Sequence, residues 1–147
     1  MDLVYLLLLP FAGSLVAALM PTHARTAAAV WAALVAAAGL AWVLWLWPDL
    51  QGGAVLKETH RWIPSAGVDL VLRVDGFAWM FALLVTGIGT LVALYARYYM
   101  SREDPVPRFF AFFLAFMGAM LGVVLAGNLI QLVFFWELTS LFSFLLI

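Results

Sequence analysis

The sequence predicts an all-α integral membrane protein, with five transmembrane helices and a small external β-hairpin between helices two and three. Three observations lead there. Of 147 residues, 67% are hydrophobic and only 10% charged, with a mean hydropathy of +1.12. Soluble domains are close to half apolar and a quarter charged, and no soluble fold of this length could hide so much apolar surface. Apolar stretches of bilayer-spanning length, about 20 residues, recur along the chain. The longest polar interruption alternates apolar and polar residues, which is the period of a strand.

The first span is 3–20, closed by "PTHART". Its first charge is Asp2, and no Lys or Arg precedes the apolar run, so it reads as a retained helix rather than a cleaved leader. The second, 27–47, is rich in alanine and tryptophan and is closed by Pro48 and Asp49. The others are 77–99, 109–126 and 129–147. Helices are expected because open strands in hydrocarbon leave backbone groups unpaired. Gly118, Gly122 and Ala126 recur every four residues on one face of span four, where another helix's backbone could approach closely.

Between spans two and three, Val68, Leu70, Leu72 and Val74 alternate with Asp69, Val71, Arg73 and Asp75 in "VDLVLRVD". The preceding "LKETHRWI" tolerates a strand and "PSAG" supplies turn residues, giving a hairpin over about 56–74. The whole chain, 1–147, forms a single membrane domain.

Arg25, Arg97, Arg102 and Arg108 fall on one side of the spans. Lys57, Arg61 and Arg73 fall on the other, in a longer loop beside Asp2, Asp49, Glu58, Asp69 and Asp75. The denser positive side is expected to be cytoplasmic, which puts the N-terminus outside and the C-terminus inside, in the cell inner (plasma) membrane. Trp42, Trp45 and Trp47 then lie at the outer headgroup zone, and Tyr95, Tyr98 and Tyr99 at the inner one.

Several classes of chemistry are excluded. The chain has no cysteine, hence no disulfide or thiolate site. It lacks a phosphate-binding glycine loop, a nucleophile elbow and any metal-spaced His set, so neither a cofactor nor a metal is expected. No basic run suggests nucleic acid. His23 and His60 read as surface residues of loops on opposite sides.

Glu137 stands apart. It interrupts "LIQLVFFWELTSLFSFLLI", and at 1.5 Å per residue from Leu129 it lies about 12 Å into a core roughly 30 Å thick. An ionised side chain at that depth costs at least about 3 kcal/mol. The carboxyl therefore either becomes neutral or acquires a cation and water. One that switches between these conditions loads and unloads a proton; one that does not is a buried hydrogen-bond donor. Ser140, three residues on, is a candidate hydrogen-bond partner on nearly the same face. Thr139 and Ser143 lie further round the helix, where hydroxyls commonly bond back to the preceding turn.

The run "RFFAFFLAFMGAMLGVVLAGNLIQLVFFWELTSLFSFLLI" resembles the fourth and fifth helices of the antiporter-like subunits shared by Mrp-type multisubunit monovalent cation/proton antiporters and respiratory complex I. "WIPSAGVDLVLRVDGFAWMF" is similar to that family's external hairpin and third helix, and "YARYYMSREDPVPRFF" to the following connection. Within the family, "GAMLGVVLAGN" and "WELTSLFSFLLI" resemble the large A-type subunit of Mrp antiporters. The complex I counterpart usually has glycine and valine where this chain has Leu138 and Thr139.

The resemblance implies a component of a sodium/proton antiporter, a transporter rather than an enzyme. Its expected partners are the other subunits of the complex, the bilayer, protons and monovalent cations. Glu137 matches the family's helix-five glutamate, which takes part in proton translocation through push and pull with a lysine on a later, interrupted helix. This chain's lysine is Lys57, in the external loop, and no interrupted helix follows span five. The expectation is an N-terminal piece of a larger subunit, holding one half of a two-group device. Two alternatives stand beside it: a proton-pumping membrane subunit of NADH-quinone oxidoreductase or a related hydrogenase, and a non-transporting membrane assembly protein.

Overall fold

The structure, a computed structural model, describes residues 2–21, 23–99 and 105–146. Arg102 and Ile147 lie outside the described residues. Nine elements follow in order: α1 (Asp2–Ala18), α2 (Arg25–Trp45), a short α3 (Trp47–Leu50), β1 (Leu56–Ile63), a 3-10 turn (Pro64–Ala66), β2 (Val68–Val74), α4 (Gly76–Tyr99), α5 (Val106–Val124) and α6 (Leu129–Leu146). Four of the helices, α2 (run together with α3), α4, α5 and α6, are long and apolar enough to cross a membrane; α1 is a shorter apolar helix.

Helices α1, α2, α4 and α5 form the packed bundle, and α6 lies outside it against α5. Small residues make the bundle tight. The buried stripe of α2 (Ala28, Ala32, Val35, Ala36, Gly39, Val43) faces that of α4 (Ala78, Ala82, Thr86, Gly89, Ala93, Ala96). At their crossing the Thr86 hydroxyl donates back to the Ala82 carbonyl at 2.8 Å, while its methyl lies where a Cβ on Gly39 would come within 3.3 Å. Without lipid-excluding hydrophobicity to drive association, such close approach supplies the dispersion that holds membrane helices together.

The helix α1 is tied to two neighbours by polar links. Ser14 Oγ donates to the Ala111 carbonyl of α5 at 2.6 Å, and Trp31 Nε1 of α2 donates to the Gly13 carbonyl at 2.9 Å. The expected small-residue face of span four is present, but rings, not backbone, fill it. Phe11 of α1 lies against Gly118, where a Cβ would meet the ring at 2.9 Å, and Phe135 of α6 lies against Gly122 more closely still. Ala126 is not on that face; α5 ends at Val124, and Ala126 pairs with Leu72.

The hairpin is antiparallel, registered from Leu56↔Val74 to Ile63↔Val68 with an irregularity between Arg61 and Ile63. Gly67 closes its turn at φ 67°, a left-handed conformation that an L side chain rarely adopts. The period of two is realised: Leu72 and Val74 are buried, while Asp69 and Arg73 are exposed. His60 sits in β1 rather than a loop, its ring 3.1 Å from Glu58. Glu58 also accepts the Leu3 backbone N–H, fastening the start of α1 to the hairpin. Burial pushes the Glu58 carboxyl up, but the hydrogen bonds it accepts, from Leu3 and His60 among others, hold it below the ordinary carboxylate range. Asp75 caps α4 by accepting the Ala78 N–H at 2.8 Å and pairs with Arg73 at 2.9 Å.

Rings mark both ends of the bundle. Trp47 and Trp79 pack at 4.6 Å on the hairpin side, where Trp79 Nε1 donates to the Val43 carbonyl at 2.7 Å. Tyr95 and Tyr99 stack at 5.5 Å at the far end of α4.

Candidate functional site

The helix that carries Glu137 begins in a backbone clamp. After α5, residues Leu125 to Gly127 run beside β2: the Arg73 N–H donates to the Leu125 carbonyl at 2.9 Å, and the Gly127 N–H donates to the Val71 carbonyl at 2.8 Å. An isolated antiparallel bridge joins Leu72 and Ala126. Glycine is required at position 127 by proximity, because a Cβ there would lie 2.8 Å from the Val71 carbonyl oxygen and overlap its Cγ1.

Asn128 then caps α6. Its Oδ1 accepts the Gln131 N–H at 2.8 Å, satisfying one of the orphan donors of the first turn, and its Nδ2 donates to the Asp69 carbonyl at 2.9 Å. Gln131 follows, fully buried, with its Oε1 accepting the Val71 N–H at 2.8 Å. Its Nε2 has no hydrogen-bond partner among the described residues. Further along, Phe135 is buried in the notch of Gly122, and Trp62 of β1 meets Phe134 edge-on at 4.9 Å.

The remaining surface of α6 is open. Gln131 and Phe135 are its buried residues, whereas Ile130, Val133, Trp136, Leu141 and Phe144 are exposed. Glu137 belongs to this exposed face, in mid-helix. Ser140 is exposed there too, but no hydrogen bond joins it to Glu137, and Glu137 has no polar partner among the described residues. Thr139 bonds back to the Trp136 carbonyl at 2.5 Å, as expected of a hydroxyl in a span. Lys57 is exposed on β1, and no ion pair joins it to Glu137 among the described residues. The arrangement presents an acidic group on an apolar surface that no element covers among the described residues. Sequence reasoning did not single out Gly127 and Gln131. The legible signal was a lone amide in the first turns of an otherwise greasy helix, which must find a partner.

Comparison with known proteins places this geometry. Residues 62–110 match the family described as NADH-Ubiquinone oxidoreductase (complex I), chain 5 N-terminus. A protein of Rhizobium meliloti, named as the probable A/B component of a K(+)/H(+) antiporter, is 57% identical over 141 residues, 96% of this chain and 14% of its own length. The corresponding A component of a Na(+)/H(+) antiporter from Alkalihalophilus pseudofirmus is 54% identical over 65% of this chain and 12% of its own. Among solved structures, a chain of the Mrp complex from Dietzia sp. superposes with a TM-score of 0.79 at 30% identity, covering 98% of this chain and 15% of that one. A chain of the membrane-bound sulfane sulfur reductase, an archaeal respiratory membrane complex, superposes at 0.80, its 24% identity speaking for the fold alone. The chain thus spans 12–14% of the length of these curated relatives.

Proposed function

We propose that this chain, which belongs to the antiporter-like membrane subunit family shared by Mrp-type cation/proton antiporters and complex I, provides the leading helices of a monovalent cation/proton antiporter subunit. In this reading Glu137 is the group that takes up and releases the proton. The observation that carries it is the place of Glu137 on the open face of α6, with no cation or hydrogen-bond partner among the described residues.

On an apolar surface an ionised carboxylate is costly, so its charge state depends on what covers it. A cationic group brought to that face from elsewhere in the complex favours the carboxylate and releases a proton. Its withdrawal favours the neutral acid, and a proton is taken up. Coupling follows because the movement of one charge sets the affinity of the other group for a proton. Ser140, on the same face, is placed to donate to the carboxylate once a neighbouring element closes over both. The protein acts as a transporter component rather than an enzyme, in association with other membrane subunits.

The antiporter reading is favoured over a redox-driven pump by relatives about half identical to this chain that bear antiporter names. Orientation follows the arginine distribution, with the hairpin outside. An impermeant thiol reagent then modifies His60→Cys from the outside of intact cells; modification only after permeabilisation contradicts that orientation.

The function is tested in the full subunit within its complex. Glu137→Gln keeps shape and removes titration. It abolishes cation-dependent proton efflux while the complex still assembles; normal efflux would make Glu137 structural.

A further inference from the structure

The helix α6 is apolar on nearly every side, and its neighbours in a bilayer, α5 and lipid, are apolar too. Burial therefore does not choose which face of α6 packs, since transfer from lipid to a protein surface of equal polarity has no hydrophobic term. Yet the face matters. Phe135 and Glu137 are two residues apart, which puts them about 200° apart on the helix. With Phe135 in the notch of Gly122, Glu137 points away from α5. A rotation by one residue, about 100°, would swing the carboxyl toward the bundle.

Beside the Phe135 ring in the Gly122 notch, a polar contact from the hairpin fixes the rotation. The Gln131 amide oxygen accepts the Val71 N–H at 2.8 Å, a contact spanning 60 positions of chain. Gln131 is fully buried, six residues and about 9 Å ahead of Glu137 along the helix axis. Breaking this contact leaves a part-buried backbone N–H unpaired, so rotated states of α6 are penalised by the loss of a directional bond that apolar side chains do not provide. Asn128 reinforces it one turn earlier by joining the cap of α6 to the Asp69 carbonyl.

We propose that Gln131 is a positioning residue for Glu137: its bond to β2 sets the rotation of α6 and directs the carboxyl to the open face. The inference rests on the reading of Glu137 as the titrating group. It is the acceptor oxygen that acts, because Nε2 has no partner among the described residues. Two near-isosteric replacements separate this role from packing: Gln131→Glu retains an acceptor toward Val71, and Gln131→Met does not.

The test uses the full subunit in its complex, in membrane vesicles, with Val133→Cys as reporter; this chain has no cysteine of its own, and Val133 lies one turn before Glu137 on the exposed side. Gln131→Met lowers cation-driven proton exchange at least about tenfold, the scale of a displaced reacting group, and changes the rate at which a membrane-permeant thiol reagent modifies Val133→Cys. Gln131→Glu restores both toward the parent. Full exchange and unchanged labelling in Gln131→Met, with Glu137→Gln inactive, overturns the positioning role alone. Equal impairment of the Met and Glu variants also overturns it, since the acceptor would then be irrelevant. Normal exchange in Glu137→Gln removes the role of Glu137 itself and the proposal with it. If Gln131→Met does not reach the membrane, Asn128→Ala against Asn128→Asp reads the same clamp. Loss of exchange with Ala and its retention with Asp supports it, and no difference between them contradicts it.

Discussion

Helices α5 and α6 are consecutive, similar in length at 19 and 18 residues, and equally apolar. Yet 67% of the apolar window of α5 is buried within the structure and 11% of that of α6. In a membrane protein, then, apolarity says only that a segment leaves water. The helix α5 is buried because small residues, Gly118 and Gly122 among them, admit rings from α1 and α6 one turn apart along the same face. By contrast α6 is held by the Phe135 ring in its notch, the Phe134 ring against Trp62, one buried amide and a capped start, and its face with Glu137 is uncovered among the described residues.

The contrast is most vulnerable at Phe135. Its truncation in Phe135→Ala empties the notch that joins the two helices and costs about 3 kcal/mol, measured by detergent-titrated unfolding of the full protein, with α5–α6 crosslinking falling in parallel. No loss would mean that the ring does not anchor α6.

A lesser cost is expected from filling the notch. In Gly122→Ala the new Cβ overlaps a buried ring wedged between helices, and the clash costs about 2 kcal/mol. Gly89→Ala is a control: there the Cβ meets the Met117 sulfur at 2.6 Å, part of a flexible side chain that can move. Equal costs at the two positions would refute the distinction between a wedged ring and an adaptable thioether.

A weaker dependence still concerns pH. Glu58 and Asp75 both have carboxyls held below the ordinary range, the first by hydrogen bonds that overcome its burial, the second chiefly by the Ala78 N–H. A depressed folded-state pKa contributes stability that is present above the unfolded value and is lost as pH falls through the folded one. Amide hydrogen-exchange protection in the hairpin and the first turn of α1, corrected for the pH dependence of intrinsic exchange, should therefore stay constant from neutral pH down to about 4 and fall below it. Glu58→Gln should flatten that dependence near Leu3; an unaltered profile would show that the carboxylate does not fasten α1.

The parts legible in the sequence are those whose causes are local. Apolar runs of spanning length became helices, and the alternation in "VDLVLRVD" became a strand with Leu72 and Val74 inward. Gly118 and Gly122 announced a close neighbour, although the chemistry of spacing alone could not distinguish a ring from a backbone. The depth of Glu137 follows from counting residues, but its direction does not. That direction is set by Gln131 meeting Val71 and Phe135 meeting Gly122, contacts between distant segments on a helix whose own pattern favours no side. Ser140 illustrates the same limit: helical spacing brings it near Glu137, and a hydrogen bond between them still depends on what lies over that face.

Whether Glu137 titrates during transport can be read by difference infrared spectroscopy on the complete complex, following the carboxyl C=O stretch as the driving cation is added and removed. The parent should show a band that appears and disappears with the cation and is missing from Glu137→Gln. A Glu137 carboxyl that keeps one protonation state throughout the cycle would refute its role as the proton carrier.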